Sequence, residues 1–524
     1  MTTPIPFIMM GIYIVIVLCL SCKSVIAGRL IRKGKAQTFE DFFTGNKSMS
    51  AVVVGLVTIV TFYSGTTFTG RVGFFYHYGV IALTTVFSCA ASGIVMFFLA
   101  EKIWPMAKKY HCSTLSDILE LRYQSRYVKL LAAFIIISFN IIWLITEIRT
   151  LGIIVHIASG GIIAQATGAG LAFSIVILYV CTGGVRSVAM VDSFSALVML
   201  CGSAICVIFL IVWYYDGSIQ QMTWRAIAKD PQLWVVGDNE FGFPYWISSI
   251  TVSTLVMLIY PSNYMSICMG NSVRAVKKAA LAVSCSGPWL MVYGIIAMAA
   301  LGLGGGAIHN PESALLEMIS YSGCGLMLGI VTTFIFAASL GTLDSTLISL
   351  SGILSNDIVI NMNHIATHKA CIGQQEENPA QPKKIKSSTG AEVKLTRCFI
   401  LLLGISAWFL SLRDLPLLVL LANYASNGIL QILPATIGGL YWKKATPAGA
   451  MTSMVAGVSA FLLLNFIKEN FYQNSEHFMG GYFLGLPALL VGLIVFIAVS
   501  LLTWRKFYAA EENRRSIVSQ LFME

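Results

Sequence analysis

Apolar residues along this chain come in long runs, separated by short polar stretches. Thirteen runs stand out, at roughly 6–24, 50–75, 79–101, 128–150, 155–181, 190–214, 245–266, 280–304, 325–351, 397–412, 415–441, 447–467 and 483–504. A helix that crosses a bilayer needs about 20 mostly apolar residues, so the pattern predicts an all-α integral membrane protein of about 13 spans. An odd number puts the two ends on opposite faces. Three polar stretches carry structure of their own. Residues 114–126 (TLSDILELRYQSR) predict a short amphipathic helix, and 305–323 an outer loop with a short helix from Pro311. Residues 356–395, with QQEENPAQPKKIKSSTG at their centre, hold too little apolar surface to fold and predict a flexible loop.

Composition agrees. Of 524 residues, 57% are hydrophobic and 11% charged, against about 25% charged in ordinary globular chains. Mean hydropathy is +0.78. These values exclude a soluble multidomain enzyme, a disordered chain and a nucleic-acid binder. The net charge of +10 reads as loop charge, because the basic residues cluster between the apolar runs. With the N-terminus outside, 27 basic residues fall on the cytoplasmic side and five on the outer side. Cytoplasmic loops carry that excess, so the C-terminus is expected inside. The run from Pro6 to Cys22 precedes Lys23, Arg29, Arg32, Lys33 and Lys35. A signal peptide has the reverse order, so a retained first helix is expected. Cys19, Cys89, Cys181, Cys201, Cys206, Cys268 and Cys285 lie in or beside apolar runs, where cysteine acts as a small hydrophobe.

Polar groups inside the runs are the candidates for chemistry, since an ionisable side chain at membrane depth is costly and faces the bundle interior. Arg71 in the second run and Glu147 in the fourth both lie toward outer ends, where they can meet as an ion pair. Alternatively, Arg71 can grip a solute carboxylate in a bidentate fork. Val60–Thr67 (VTFYSGTT) places β-branched, hydroxyl and glycine residues at mid-membrane, a poor helix that can unwind where it lines a cavity. Tyr260, Pro261, Ser262 and Asn263 interrupt the seventh run in the same way, since proline removes a helix hydrogen bond. Two interrupted helices five spans apart point to an inverted-repeat transporter. The ninth run, AASLGTLDSTLISLSG, lays Thr342, Ser345, Thr346 and Ser349 near helical spacing around Asp344. Asp192 is the second acid toward the cytoplasmic half. Each acid can ligate a cation or cap a helix.

Five segments together resemble the sodium:solute symporters, the group of proline, pantothenate, sialic acid, monocarboxylate and sugar cotransporters. They are FFTGNKSMS with the broken run ending GRVGFFYHYG, CSTLSDILELRYQSR, TGGVRSVAMVDSFSA, AASLGTLDSTLISLSGILSNDI, and GILQILPATIGGLYWKKATPAGA. The resemblance implies a five-plus-five inverted-repeat core with discontinuous helices. On this division 1–47 is the first helix and loop and 48–215 the first repeat. Residues 216–244 form an outer loop, 245–446 the second repeat, and 447–524 the last two helices with a short tail. It implies sodium-driven uptake by alternating access, with sodium as the transported coupling ion and no organic cofactor. By position, the main sodium site takes carbonyls of Val60 and Tyr63, the Ala338 carbonyl and the Thr342 hydroxyl. Family members usually carry a hydroxyl at the position of Gly341, so this chain lacks one oxygen there. Asp192, Asp344 and Ser345 fall on a second sodium position. Phe62 stands where proline carriers have an aspartate.

The solute is expected above the sodium, among Ser64, Thr66, Thr67, Arg71, Glu147, Tyr260 and Asn263. Arg71 favours a carboxylate; neutralised by Glu147, it fits a neutral or zwitterionic solute equally. The expected partners are a small organic solute, sodium and the lipid bilayer, with no nucleic acid. Short loops and lean termini suit a multi-pass protein of a bacterial cytoplasmic membrane. A proton-coupled or uncoupled carrier on the same fold is the rival reading. More remote are an intramembrane enzyme, for which no H-E-x-x-H occurs, and a transporter-like sensor, for which the stretch after Trp504 is short.

Overall fold

A computed structural model describes residues 4–32, 37–236, 242–257, 259–303, 311–362, 390–413, 416–472 and 478–509. Among them the regular structure is helical throughout, apart from one bridge between Met49 and Gly270. In chain order the helices are α1 (Ile5–Arg32), α2 (Phe39–Thr44), α3 (Ala51–Phe62), α4 (Gly65–Phe68), α5 (Gly70–Tyr78), α6 (Thr84–Lys109), α7 (Leu115–Tyr123) and α8 (Arg126–Ala158). There follow α9 (Gln165–Gly183), α10 (Val185–Tyr215), α11 (Ile219–Lys229), α12 (Phe243–Val256), α13 (Pro261–Met269), α14 (Val273–Ser286) and α15 (Met291–Gly302). The remainder are α16 (Ala314–Tyr321), α17 (Gly325–Gly352), α18 (Gly390–Ser411), α19 (Leu418–Ile429), α20 (Leu433–Tyr441), α21 (Pro447–Phe471) and α22 (Gly485–Ala509).

Eleven helices are long and apolar enough to cross a membrane, or up to twelve if the bent pair α12–α13 is one span. The tally differs from thirteen because the second apolar run does not make one helix. Its first half, α3, is only 12 residues long. Its second half continues through α4 and α5 into α6 as a single apolar stretch, Gly65–Lys109.

Helix α17 sits at the centre. Every residue from Val331 to Gly352 is buried, which is what a helix apolar on all sides requires. Around it pack α1, α3, α4, α8, α10 and α18. The first helix contributes one narrow stripe, Tyr13, Val17 and Ser21 at four-residue spacing, and leaves Val15, Ile26 and Leu30 exposed. The final pair, α21 and α22, pack on each other and expose Leu462, Leu463, Ile494 and Leu502, the expected face toward lipid. Among the described residues all cysteines are free. Five of them are exposed rather than packed inside, including Cys19 and Cys22, which form a C-x-x-C spacing on α1.

The amphipathic stretch folds as α7, closed by a capping box between Thr114 and Asp117. The outer loop helix begins with a turn at Pro311 and continues as α16. The expected flexible loop 356–395 is shorter than its polarity suggests. Helix α17 runs on through a π-helical stretch, Ile353–Ile360, and α18 starts at Gly390; residues 363–389 lie outside the described residues.

Candidate functional site

Two helix breaks open the interior. Helix α3 ends at Phe62 because Tyr63 (φ −93°, ψ 61°) and Ser64 (φ −63°, ψ 166°) leave helical geometry. The chain then restarts as α4. A helix end leaves its last carbonyls without partners. Tyr63 N–H still reaches Ile59 O, and the carbonyls of Val60 and Thr61 point instead at α17. There the Thr342 hydroxyl lies 3.3 Å from Val60 O, 3.5 Å from Thr61 O and 3.3 Å from Ala338 O. One hydroxyl has one proton to donate, so three carbonyls around it leave lone pairs facing one another. A hard cation, which takes oxygen ligands, suits that arrangement.

Of the expected oxygens, Val60, Ala338 and Thr342 come together. The Thr342 hydroxyl also lies 3.5 Å from the Thr61 carbonyl, which adds an oxygen beside the expected set. The Tyr63 phenol donates to Ser286 O at the end of α14. Gly341 offers no side-chain oxygen, and the reason is steric. A Cβ there would stand 2.7 Å from Val60 Cγ1 and 3.2 Å from Asp192 Oδ1, so the isopropyl group of Val60 occupies the space. Gly65 has a parallel role on the other side of the break. Its missing Cβ would fall 1.7 Å from Ser339 Oγ, which lets α4 lie directly on α17.

Asp192, Asp344 and Ser345 also converge, one turn further along α17 from Thr342. The Ser345 hydroxyl donates to Asp192 Oδ2 (3.0 Å), and the Ser345 N–H donates to Asp344 Oδ1 (2.6 Å). The Tyr179 phenol donates to Asp344 Oδ2. Both acids are fully buried. Asp192 Oδ1 has no hydrogen-bond partner, and among the described residues no basic side chain pairs with either acid. From the peripheral first helix, Tyr13 joins the edge of this cluster by hydrogen bonding Ser195 Oγ at 2.7 Å.

The candidate solute residues divide. Ser64 Oγ and Thr66 Oγ1 share a hydrogen bond, and Thr66 Oγ1 reaches Glu147 Oε1 at 3.5 Å. Glu147 is buried, and its Oε2 has no partner. Thr67 is buried in the same short helix. The second break bends α12 against α13 by 46°, with Tyr260 (φ −58°, ψ 123°) just before Pro261. Tyr260 packs edge-on to Trp143 and contacts Ser426 Oγ at 3.4 Å. Asn263 donates to Met257 Sδ, and its Oδ1 is unpartnered.

Arg71 does not meet Glu147. It is half-buried on α5, within electrostatic reach of the Tyr293 and Tyr245 hydroxyls. Among the described residues it has no ion pair. Glu147 points inward at the break, and the arginine that finds a carboxylate nearby is Arg149, 3.9 Å from Glu312. Sequence reasoning marked Thr61 only as part of the unwound stretch and passed over Trp143, Tyr179, Tyr13, Ser195, Ser339, Tyr245, Asn423 and Ser426. A polar aromatic in an otherwise apolar helix was the available signal for Tyr13 and Tyr179. Nothing in the pattern marked the others.

At one end of the bundle, three polar knots tie the helices together. Asp41 accepts from Arg32 (2.8 Å) and Arg186 (3.1 Å). Lys129 joins Asp117 (2.7 Å), Glu120 (3.0 Å) and Asp357 (3.6 Å), which links α7 and α8 to the end of α17. Arg122 donates to the carbonyls of Gly439, in the last turn of α20, and Trp442, just past its end. Burial pushes the Asp117 carboxyl up, but the Lys129 ammonium and the N–H groups of Ser113 and Thr114 outweigh it. Its pKa therefore lies below the usual carboxylate range.

Comparison with known proteins agrees with this architecture. A family model described as the sodium:solute symporter family matches residues 42–370. The sodium/pantothenate symporter of Escherichia coli (strain K12) is 23% identical over 485 residues, 89% of this chain and 91% of its own. The fold is similar to that of a Na+-coupled sialic acid symporter in a substrate-bound outward-open state. The TM-score is 0.73 at 15% identity, over 95% of this chain and 98% of that one. It is also similar to Mhp1, a nucleobase-cation-symport-1 family transporter, with a TM-score of 0.59 at 12% identity over 92% and 98%.

Proposed function

Because this chain belongs to the sodium:solute symporter family, and so works as a sodium-coupled membrane transporter rather than an enzyme, we propose that it imports a small carboxylate-bearing organic solute by alternating access. The observation that carries the reading is the meeting of Val60 O, Thr61 O, Ala338 O and Thr342 Oγ1 at the first break. Sodium seated there pins α3 against α17. That fixes the geometry of α4, whose Ser64, Thr66 and Thr67 form the floor of the solute site. Coupling between two ligands is reciprocal, so solute tightens sodium as sodium tightens solute.

Asp192, Asp344 and Ser345 hold a second cation. Two carboxylates with no basic partner in a low-dielectric interior are costly to ionise, and a bound cation offsets that cost. The Arg71 guanidinium receives the solute carboxylate at the outer end. The stretches 48–215 and 245–446 act as inverted repeats of five spans each, and their relative rocking alternates access. The N-terminus lies outside and the C-terminus in the cytoplasm of a bacterial membrane, as the asymmetry of basic residues requires.

A solute screen by thermal shift, run in sodium and in potassium, tests this reading. A ligand that binds the native state stabilises it by mass action, so a solute is expected to raise Tm in sodium and far less in potassium. Equal shifts in both salts contradict sodium coupling.

A further inference from the structure

The charges around the solute site say more than that the solute is acidic. Two ionisable side chains of opposite sign border it, and neither neutralises the other. Glu147 is 1% exposed, with Oε2 unpartnered, and no basic side chain pairs with it among the described residues. Arg71 on α5 likewise pairs with no carboxylate among them. A continuous wall joins the two. Trp143 lies one helical turn before Glu147, on the same face of α8. Its ring meets Tyr260 edge-on, with centroids 5.8 Å apart. The Tyr260 hydroxyl contacts Ser426 Oγ at 3.4 Å. Asn423 stands one turn before Ser426 on α19 and donates to the Tyr245 hydroxyl at 3.1 Å. Gly70, the residue before Arg71, packs against Val419, one turn before Asn423 on α19: a Cβ on it would stand 3.3 Å from Val419 Cγ2, and Arg71 lies within electrostatic reach of Tyr245. The opposite wall is α4 itself, where Thr66 reaches Glu147. From Thr66 to Arg71 is five residues, about 7 Å along a helix.

Resting on the symport reading above, we propose that the solute is a short zwitterion. Its ammonium end seats against Glu147, beside the rings of Trp143 and Tyr260, and its carboxylate end meets Arg71. A solute with only an acid group satisfies Arg71 and leaves Glu147 buried without a counter-charge; an amine alone does the reverse. Desolvating an unpaired charge is what such a site penalises. Aromatic faces beside a carboxylate are a general receptor for ammonium and quaternary ammonium groups. The Ser64 and Thr66 hydroxyls bond to each other, and with Ser339 and the Gly65 N–H they surround the Glu147 carboxylate with neutral donors that supply no counter-charge. Amino acids and betaines have this chemistry; simple monocarboxylates do not.

The test uses the full chain, purified in detergent, and matched sets of probes. Each set holds an amino acid or betaine, the acid lacking its nitrogen and the amine lacking its carboxylate: glycine, acetate and methylamine; 4-aminobutyrate, butyrate and propylamine; glycine betaine, acetate and tetramethylammonium. Tm is read in sodium and in potassium. At least one zwitterion is expected to raise Tm in sodium while its acid and amine do not. Glu147→Gln, a neutral isostere, is expected to weaken that zwitterion by at least about tenfold and to leave the shift caused by sodium alone intact. An acid that stabilises as strongly as its zwitterion overturns the proposal, as does unchanged zwitterion affinity in the variant. A changed response to sodium alone in the variant also overturns it, by making Glu147 a cation ligand. The two readings fail separately. Matched acids that bind only in sodium sink the zwitterion and leave symport standing, whereas zwitterion shifts equal in both salts sink the coupling and leave the charge preference.

Discussion

Single side chains set the properties of the cation site. If the Thr342 hydroxyl is the only side-chain oxygen among its backbone carbonyls, Thr342→Ala should raise the sodium needed for half-maximal uptake by at least about tenfold, or about 1.4 kcal/mol. Thr342→Ser should restore most of it. Sodium titration of uptake in proteoliposomes checks both, and an unmoved curve removes Thr342 from the site. Gly341 offers a steric test. Its added methyl in Gly341→Ala meets Val60, and overpacking of this kind costs about 1–3 kcal/mol. The single variant should lose Tm, and Val60→Ala in the same chain should recover it. Additive losses would show that the two positions do not touch. Arg71→Ala should abolish uptake of an acidic or zwitterionic solute, read as initial rates at saturating sodium; normal solute affinity in that variant takes Arg71 out of the site.

Elements decide how those side chains are presented, and here the sequence was readable to different depths. Both breaks were legible, because Thr, Ser and Gly at 61–66 and Pro261 carry their own local reasons to leave a helix. The identity of the freed carbonyls was not. Which carbonyls face Thr342 depends on the residue at which α3 stops, and sequence patterns place helix ends only to within a few residues. Nor was the separation of Arg71 from Glu147 legible. It follows from the rotation of α8 about its axis, which only packing against α4 and α17 sets. At one end of the bundle, Lys129 links α7, α8 and the end of α17 through three carboxylates. Removing one partner from a buried ionic cluster costs about 3–5 kcal/mol, so Lys129→Met should lower Tm and open that end to cysteine-directed labelling. The Asp117 carboxyl titrates below its unfolded value. Its contribution is therefore full above the ordinary carboxylate range and is lost as pH falls through the depressed folded value. A Tm profile from neutral to acid pH should fall in that window, and Lys129→Met should flatten it.

Across the whole molecule, the pattern of apolar runs carries most of the fold. The central helix α17, buried throughout from Val331 to Gly352, coincides with the run that also holds the Ser, Thr and Asp residues. That overlap makes the ninth run the most informative stretch of the chain. The exact span count was less secure, since the second run is divided at the position where the site forms. The role of the first helix was legible only through one polar aromatic, Tyr13, in an otherwise apolar run. Its apolar sequence reads as a simple lipid-facing span, yet Tyr13 reaches the buried acid cluster through Ser195. Accumulation of solute in proteoliposomes under an inward sodium gradient, compared with an inward proton gradient in sodium-free buffer, bears most directly on the account. Concentration of solute against its gradient under sodium alone, abolished when sodium is equalised and blunted by Thr342→Ala, is the expected result. Equal accumulation under the proton gradient without sodium contradicts it.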